Sequence, residues 1–572
     1  MSDLPQIAIA QINVIVGDIA GNSAKILQAW EKATKEGAQL VVYPELCVTG
    51  YPPQDLILSP NFRKKSMQAV YDIAEKTVNG AAMILGSVWE QNSCHANESW
   101  HPEKHKEVWI PAFAGMTKES VYDNKIYNAG LLLDGGKIVH IQPKTILPNY
   151  GIFDEKRLFD AGNGTVAVNW RGHKMAILIC EDVWHESLVN SLKDQALEVI
   201  FVINASPFEV GKYEQRISVA AKAASVANAS LFYINMVGGQ DDIVFDGGSF
   251  AINSVGGMIC SLPRFEENIV VIPNACEESL QNNDKILHYA QDDNWKIWNA
   301  MKLGLADYVH KNGFSKVLLG LSGGIDSAVT VACAVDALGA ENVLGVLLPS
   351  PYSSQGSIDD ALESAKLLGI KTRTIPITSP MEIFSDLLTP EFEKTNWIEE
   401  PEIGGNLQAR LRAVILMGLS NCYGSLLLST GNKSEIAVGY STLYGDSCGA
   451  YNVLKDIYKT QVYALANWRN TQSQAIPERS ISKAPSAELK PNQRDEDNLP
   501  PYDILDDVLA KHIEGRMSAQ EIIAAGHDQK IVEKILRLVR LSEYKRSQSC
   551  LGVKISPMLF GKDRRYPITN KF

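Results

Sequence analysis

No apolar run in the sequence approaches the roughly 20 residues that a membrane span requires. No basic stretch leads into an apolar core at "MSDLPQIAIAQINVIVGD", so no secretory leader is expected. Cysteine is sparse for 572 residues: nine, at Cys47, Cys94, Cys180, Cys260, Cys276, Cys333, Cys422, Cys448 and Cys550. The number is odd and no two stand at CxxC spacing. That argues against a disulfide framework or a structural zinc site and fits a reducing cytoplasm. Positive charge is also in deficit, with a formal net charge of −12. Nucleic acid and anionic membranes need a basic footprint, so neither is expected as the main partner. A local pocket can still oppose the global sign and hold a small anion.

What is present is ordinary globular material, 45% hydrophobic and 21% charged. A single core rarely grows past about 250–300 residues, so the length predicts two large domains. "QIAIAQINVIVGD" reads as a strand ending at Gly17-Asp18. "NSAKILQAWEKATKEGA" reads as a helix with Asn22 or Ser23 as N-cap and Gly37 closing it. "QLVVYPEL", "AAMILGSVWE", "HKMAILICEDVW", "EVIFVINASP" and "SLFYINMVGGQ" read as further strands. "NAGLLLDGGKIVHIQPK" and "GGSFAINSVGGMIC" read as hairpins, the first turning at Gly135-Gly136. Alternating strands and helices with hairpins mixed in predict a layered α/β sandwich. Residues 91–123 are polar and aperiodic. Their three histidines, His95, His101 and His105, lack a ligand spacing, so an exposed insertion is expected. Its sequence resembles peptides encoded by mobile palindromic elements. Strand signals fade after Val271 and a polar linker follows. From "WKIWNAMKLGLADYVHKNG" onward the order strand, loop, helix repeats, which predicts a doubly wound parallel sheet.

"LLGLSGGIDSAVTVACAV" ends an apolar strand in a Ser-Gly-Gly turn and opens a helix. Gly323 and Gly324 let backbone approach a ligand closely and tolerate positive φ. The helix start offers free N–H groups and partial positive charge, an anion cradle. The loop is neither GxxxxGK[ST] nor GxGxxG. Asp326 suits a Mg²⁺ bridging phosphates, and Ser322 and Ser327 add hydroxyls. A turn that only packs is the plainer alternative.

SGGIDS resembles the signature of the N-type ATP pyrophosphatases, which cleave ATP between the α- and β-phosphates. "GGNLQARLRAVILMGLSN", "LLLSTGNKSEIAVGYSTLYGDSCGAYNVLKDIYKTQVYALANW" and "KAPSAELKPNQRDEDNLPPYDILDDVL" are similar to the NAD synthetase family. The resemblance implies adenylation of deamido-NAD⁺ and attack by ammonia, with ATP as substrate and Mg²⁺ as cofactor. It implies that Gly320, Leu321, Ser322, Gly323, Gly324, Ile325, Asp326, Ser327 and Thr430 hold ATP. Asp326 and Glu435 would serve Mg²⁺. Asn406, Glu435, Tyr440, Ser441, Thr442, Leu443 and Lys545 would line the deamido-NAD⁺ site, with Lys459 and Ser486 facing phosphates or adenylate. Gly405 departs from the family, where an acidic residue commonly precedes the asparagine.

In the first half, Cys180 ends "MAILIC", Glu45 ends "LVVYPEL" and Lys144 sits in "QPKTILPNYGIFDEKRLF". A thiol at a strand-to-helix turn is expected to be exposed and to have a lowered pKa. Together the three could serve as nucleophile, general base and oxyanion stabiliser for amide cleavage. Taken singly, each is an ordinary core or surface residue. With their flanks they resemble the nitrilase (carbon–nitrogen hydrolase) superfamily. That likeness implies a four-layer α-β-β-α sandwich, a Glu45–Lys144–Cys180 triad, and glutamine contacts from Tyr150, Ser206 and Lys212. Relatives often carry arginine where Lys212 stands. The combined resemblance is to the glutamine-dependent NAD⁺ synthetase family. It implies a glutaminase domain at 1–271, a linker at 272–294 and an adenine nucleotide alpha hydrolase-like synthetase domain at 295–572. It also implies small-molecule partners (glutamine, deamido-NAD⁺, ATP), a path for ammonia, and a homo-oligomer of paired synthetase domains, up to an octamer.

Two rivals are a tRNA-modifying ATP pyrophosphatase and a scaffold whose amidase half has decayed. The first needs a basic RNA surface and a cysteine pair, and the second is at odds with intact Glu45, Lys144 and Cys180.

Overall fold

The computed structural model describes residues 5–91, 125–272, 292–392, 401–491 and 493–570. Most of the 91–123 insertion, with its three histidines, and most of the 272–294 linker lie outside the described residues.

The first half runs β1 (Ile7–Gln11), α1 (Ile19–Lys35), β2 (Leu40–Val42), α2 (Pro60–Lys76), β3 (Ala82–Gln91), β4 (Lys125–Asp134) and β5 (Lys137–Pro143). It continues through β6 (Val168–Trp170), β7 (His173–Ile179), α3 (Glu186–Asn190), β8 (Val199–Asn204), α4 (Lys212–Ala227) and β9 (Ser230–Asn235). β10 (Val237–Gln240), β11 (Ile243–Asp246), β12 (Phe250–Ile252), β13 (Met258–Ser261) and β14 (Asn268–Ile272) complete it. Two six-stranded mixed sheets form, ordered β14-β1-β2-β3-β4-β5 and β13-β12-β9-β8-β7-β6. In each, three neighbouring strands are parallel: β1, β2 and β3, and β7, β8 and β9.

Period-two alternation sorts the apolar side chains into layers. Ile7, Ile9, Leu40, Val42 and Ile84 meet Ile177, Ile179, Phe201 and Ile203 between the sheets. Their neighbours Ala8, Ala10 and Val41 face α1 and α2, and Leu178, Ile200 and Val202 face α4. The result is the expected α-β-β-α sandwich. Two local expectations are corrected. The N-cap of α1 is Asp18, which accepts from the Gly21 N–H at 2.9 Å. Asn22 is buried instead and bonds Ile15 and Val48. β1 also stops at Gln11, because Asn13 and Val14 turn toward the second half.

The second half contains α5 (Asp293–Lys311), β15 (Val317–Gly320), α6 (Ile325–Leu338), β16 (Val343–Leu347), α7 (Gln355–Leu368) and β17 (Lys371–Thr374). After α8 (Thr378–Phe392) and α9 (Pro401–Tyr423) come β18 (Leu426–Ser429), α10 (Lys433–Val438), β19 (Tyr451–Asn452) and α11 (Lys459–Gln472). The five strands are parallel and ordered β17-β16-β15-β18-β19. The order reverses between β15 and β18, where sheets of this kind open a crevice at their carboxyl ends.

The halves are pinned by a polar cluster. Lys311 Nζ donates to Asn13 Oδ1 at 2.8 Å, Val14 O at 2.9 Å and Gly239 O at 2.8 Å. Asp307 accepts from Asn13 Nδ2 at 2.8 Å and the Gly239 N–H at 2.6 Å. Phe208 and Val244 of the first half enter the apolar core of the second.

Candidate active sites

Glu45 lies in the turn beyond β2, Lys144 follows β5 directly, and Cys180 follows β7. Adjacent sheets therefore deliver the three to one place. Glu45 stands past its strand rather than at the strand's end. The turn is tight: Leu46 has φ 44°, and a Cβ on Gly86 of β3 would lie 2.2 Å from Leu46 N. Cys180 also sits at positive φ, 47°. A non-glycine residue there is held by its surroundings, and such strain gathers at functional sites.

The Lys144 ammonium donates to Glu45 Oε1 at 2.7 Å and to the Glu155 carboxylate at 2.9 Å. Asn128 Nδ2 reaches Glu45 Oε1 at 2.7 Å, and the Ala205 N–H reaches Oε2 at 2.9 Å. Tyr51 donates to Glu155 at 2.8 Å. Glu45 and Lys144 are fully buried. Burial opposes the Lys144 charge, but Glu155 and Glu45 outweigh it and hold the ammonium well above the ordinary lysine range.

Cys180 is 6% exposed. Burial, then the Glu45 charge, pushes its thiol well above the ordinary range, while Lys144 pulls the other way. The expected exposed, low-pKa thiol is thus corrected. Two carboxylates already outnumber one ammonium, so a thiolate would be a second uncompensated negative charge. Burial thus favours the neutral thiol at Cys180, close to the Glu45 carboxylate.

Tyr150 donates at 2.9 Å to Glu181, the residue after Cys180. Ser206 Oγ accepts from Arg216 Nε at 3.1 Å, and Arg216 is anchored by Asp246 at 2.7 Å. Lys212, at the start of α4, lies 4.4 Å from the Trp184 ring centroid. Asp182 is buried and accepts from the Thr145, Ile146 and Ile179 N–H groups at 3.1, 2.8 and 3.1 Å. It thus ties the segment after Lys144 to the turn of Cys180. Glu155, Asn128 and Asp182 were not singled out from sequence. Glu155 stands beside Asp154 in a polar stretch, and only folding distinguishes the two.

In the second half a cavity of about 640 Å³ opens at the carboxyl ends of β15 and β18. Gly320, Leu321, Ser322, Gly324, Ile325, Asp326, Ser327 and Thr430 line it, as do Asn406, Glu435, Tyr440, Ser441, Thr442, Lys459, Ser486 and Lys545. Gly323 and Leu443 are outside that lining. Gly323 has the expected positive φ, +76°, and a Cβ there would meet Ser357 O at 2.1 Å. The close approach seen there is to the backbone of Ser357. Leu443 turns its carbonyl to Arg410 Nε at 3.1 Å. The start of α6 at Gly324 carries no side-chain cap, which leaves its first N–H groups for an anion.

Asn432 caps α10 and donates to Asp326 Oδ1 at 3.0 Å. Lys459 Nζ lies between Asp326 at 2.5 Å and Glu435 at 3.2 Å. Those two carboxylates hold its ammonium above the ordinary lysine range although burial opposes it. Burial pushes Glu435 up to about 8; Lys459 lowers it and Asp326 raises it. The pair is short of positive charge. Mg²⁺ is commonly held by one or two carboxylates with substrate phosphates completing its shell, and this donor set fits that pattern. Lys545 bridges Gly439 O at 2.8 Å and Ser441 O at 2.7 Å, and Thr442 donates to Asn406 at 2.8 Å.

Residues 6–274 match the carbon–nitrogen hydrolase family model and residues 297–549 the NAD synthase model. A glutamine-dependent NAD(+) synthetase of Acinetobacter baylyi is 41% identical over 99% of this chain and 98% of its own length. That of a Synechocystis strain is 41% identical over 99% of each chain. The solved Acinetobacter baumannii glutamine-dependent NAD+ synthetase, in complex with adenosine diphosphate, is 38% identical, with TM-score 0.74 over 99% of this chain and 98% of that one. With both halves matched across the full length of these relatives, the chain belongs to the glutamine-dependent NAD(+) synthetase family.

Proposed function

We propose that the chain is a carbon–nitrogen ligase that makes NAD⁺ from deamido-NAD⁺, ATP and glutamine, with a glutaminase domain at 1–271 and a synthetase domain at 295–572. Cys180 Sγ attacks the side-chain amide carbon of glutamine as Glu45 takes the thiol proton. Lys144 faces the oxygen on which negative charge develops. The proton passes to the leaving nitrogen, ammonia departs, and water cleaves the thioester to glutamate. Tyr150, Ser206 and Lys212 hold the glutamine.

In the synthetase half, Gly320–Ser327 and Thr430 hold ATP. Asn406, Glu435, Tyr440, Ser441, Thr442, Leu443 and Lys545 hold deamido-NAD⁺. The nicotinate carboxylate oxygen attacks the α-phosphorus and pyrophosphate leaves. Ammonia then attacks the adenylated carbonyl and AMP leaves. Lys459 and Ser486 face the charge on phosphate and adenylate. Asp326 and Glu435 would hold Mg²⁺, which supplies charge neutralisation on the phosphates when bound. The adenosine diphosphate in the Acinetobacter baumannii relative supports a nucleotide site. A cytoplasmic homo-oligomer accompanies this reading, and no described helix is long and apolar enough to cross a membrane.

The observation that carries the proposal is the buried Glu45–Lys144 pair at 2.7 Å beside Cys180, in one chain with the Gly-loop cavity. Steady-state NAD⁺ formation from deamido-NAD⁺ and ATP, with glutamine or ammonium as donor, tests it. Cys180→Ala is expected to lose glutamine-driven synthesis by at least about 10³-fold and keep the ammonium-driven rate. Undiminished glutamine-driven synthesis in that variant would refute the coupled mechanism.

A further inference from the structure

We propose that the C-terminal segment of the synthetase half, residues 554–565, is a working part of the glutamine site on the other domain. This rests on the functional reading above and extends it across the domain boundary. The loop 148–155 carries Tyr150 near its tip and Glu155, which grips Lys144, at its base. Between them, the Gly151 carbonyl accepts from Arg565 Nη2 at 2.7 Å. A Cβ on Gly151 would come within 2.6 Å of Asp563 Oδ1. Gly151 has φ +56°, so this position needs glycine for its backbone as well as for the close approach. The outer face of the loop is therefore shaped by residues far away in sequence.

The segment is built to be stiff. Arg565 Nε donates to Lys562 O at 2.7 Å, which orients the guanidinium before it reaches Gly151. Asp563 Oδ2 accepts from the Leu559 N–H at 2.8 Å and pairs with Lys554 at 3.0 Å. It is also anchored at its start. The Ile555 and Ser556 N–H groups donate to Asp456 Oδ2 at 2.9 and 2.7 Å. The Lys554 N–H donates to Asp242 O at 2.7 Å, and Ile555 O accepts from the Val210 N–H at 3.2 Å. A strap fixed to both domains can hold the loop in register over Cys180, and preorganised loops cost less to bind against.

The test uses the full chain with saturating deamido-NAD⁺ and ATP. For Arg565→Ala the glutamine KM is expected to rise about fivefold, the loss of one charge-assisted hydrogen bond, with kcat within about twofold. Arg565→Lys should recover most of the affinity, because its ammonium also donates to a carbonyl. Ammonium-driven synthesis should be unchanged in both. Amide hydrogen exchange of residues 148–155 should quicken in Arg565→Ala. That readout holds even if the parent releases no glutamate from glutamine, a result that would refute the functional reading instead. Unchanged exchange and unchanged KM overturn the strap, and so does an equal loss of ammonium-driven synthesis.

Discussion

Glu155 and Glu45 share the Lys144 ammonium at the first site. Burial pushes Glu155 up to about 7, with Lys144 opposing the rise and Glu45 adding to it. As pH falls through about 7, Glu155 takes a proton and Lys144 loses one of its two counter-charges. Glutamine hydrolysis is therefore expected to decline on the acid side of pH 7. Glu155→Gln should lower kcat for glutamine by about 10²-fold and abolish that acid limb. A pH profile of glutamate release checks both. A profile identical to the parent's would show that the second carboxylate has no part in the reaction. Glu155 was invisible in sequence because its partner Lys144 is supplied by another turn and its burial by the whole sandwich.

Two close backbone approaches give complementary expectations. Gly86 lies inside β3, where a Cβ would fall 2.7 Å from Glu45 Cα. Gly86→Ala displaces the turn bearing Glu45, and a displacement of about 1 Å can cost 10²-fold in rate. Glutamine-driven synthesis should fall by that order while ammonium-driven synthesis persists. Gly323→Ala meets Ser357 O and a positive φ together. It should abolish NAD⁺ formation with either nitrogen donor and spare glutamate release. Kinetics of the two variants with both donors decide the matter. Most strands and the loop at Gly323-Gly324 were legible because alternation and the strand–glycine–helix order are local signals. The N-cap of α1 was not: Asn22 is a good capping type, but the fold uses it to hold Ile15 and Val48. Asp18 begins the helix instead.

Across the described residues, the buried carboxylates Glu155, Asp182, Asp242, Glu435, Asp495 and Asp506 are raised in the folded state, Asp182 to about 6, Glu155 to about 7 and Glu435 to about 8. Desolvation is the first cause in each. A carboxyl raised by folding binds its proton more tightly folded than unfolded. Its contribution is full below the unfolded value, about 3.9 for Asp and about 4.3 for Glu, and is lost as pH climbs through the folded value. The ligand-free protein is therefore expected to lose thermal stability between pH 6 and pH 8.5. Glu435→Gln should shrink that loss, read as the difference in Tm between the two pH values. An equal loss in parent and variant would remove Glu435 from the account. The Asn13–Asp307–Lys311 cluster belongs to this scale too: it joins residues nearly 300 positions apart and had no signature along the chain.

The sequence by itself determined the two-part organisation, the fold class of each part and the residue types able to act, because periodicity, glycine turns and family motifs are written locally. It also singled out Glu45, Lys144 and Cys180, and placed Cys180 at the end of its strand. Only the tertiary structure decided that Cys180 is a buried thiol rather than an exposed thiolate, that Glu155 shares Lys144, and that Arg565 reaches Gly151. Burial and charge pairing depend on what packs from distant parts of the chain, and no neighbour in sequence carries that information.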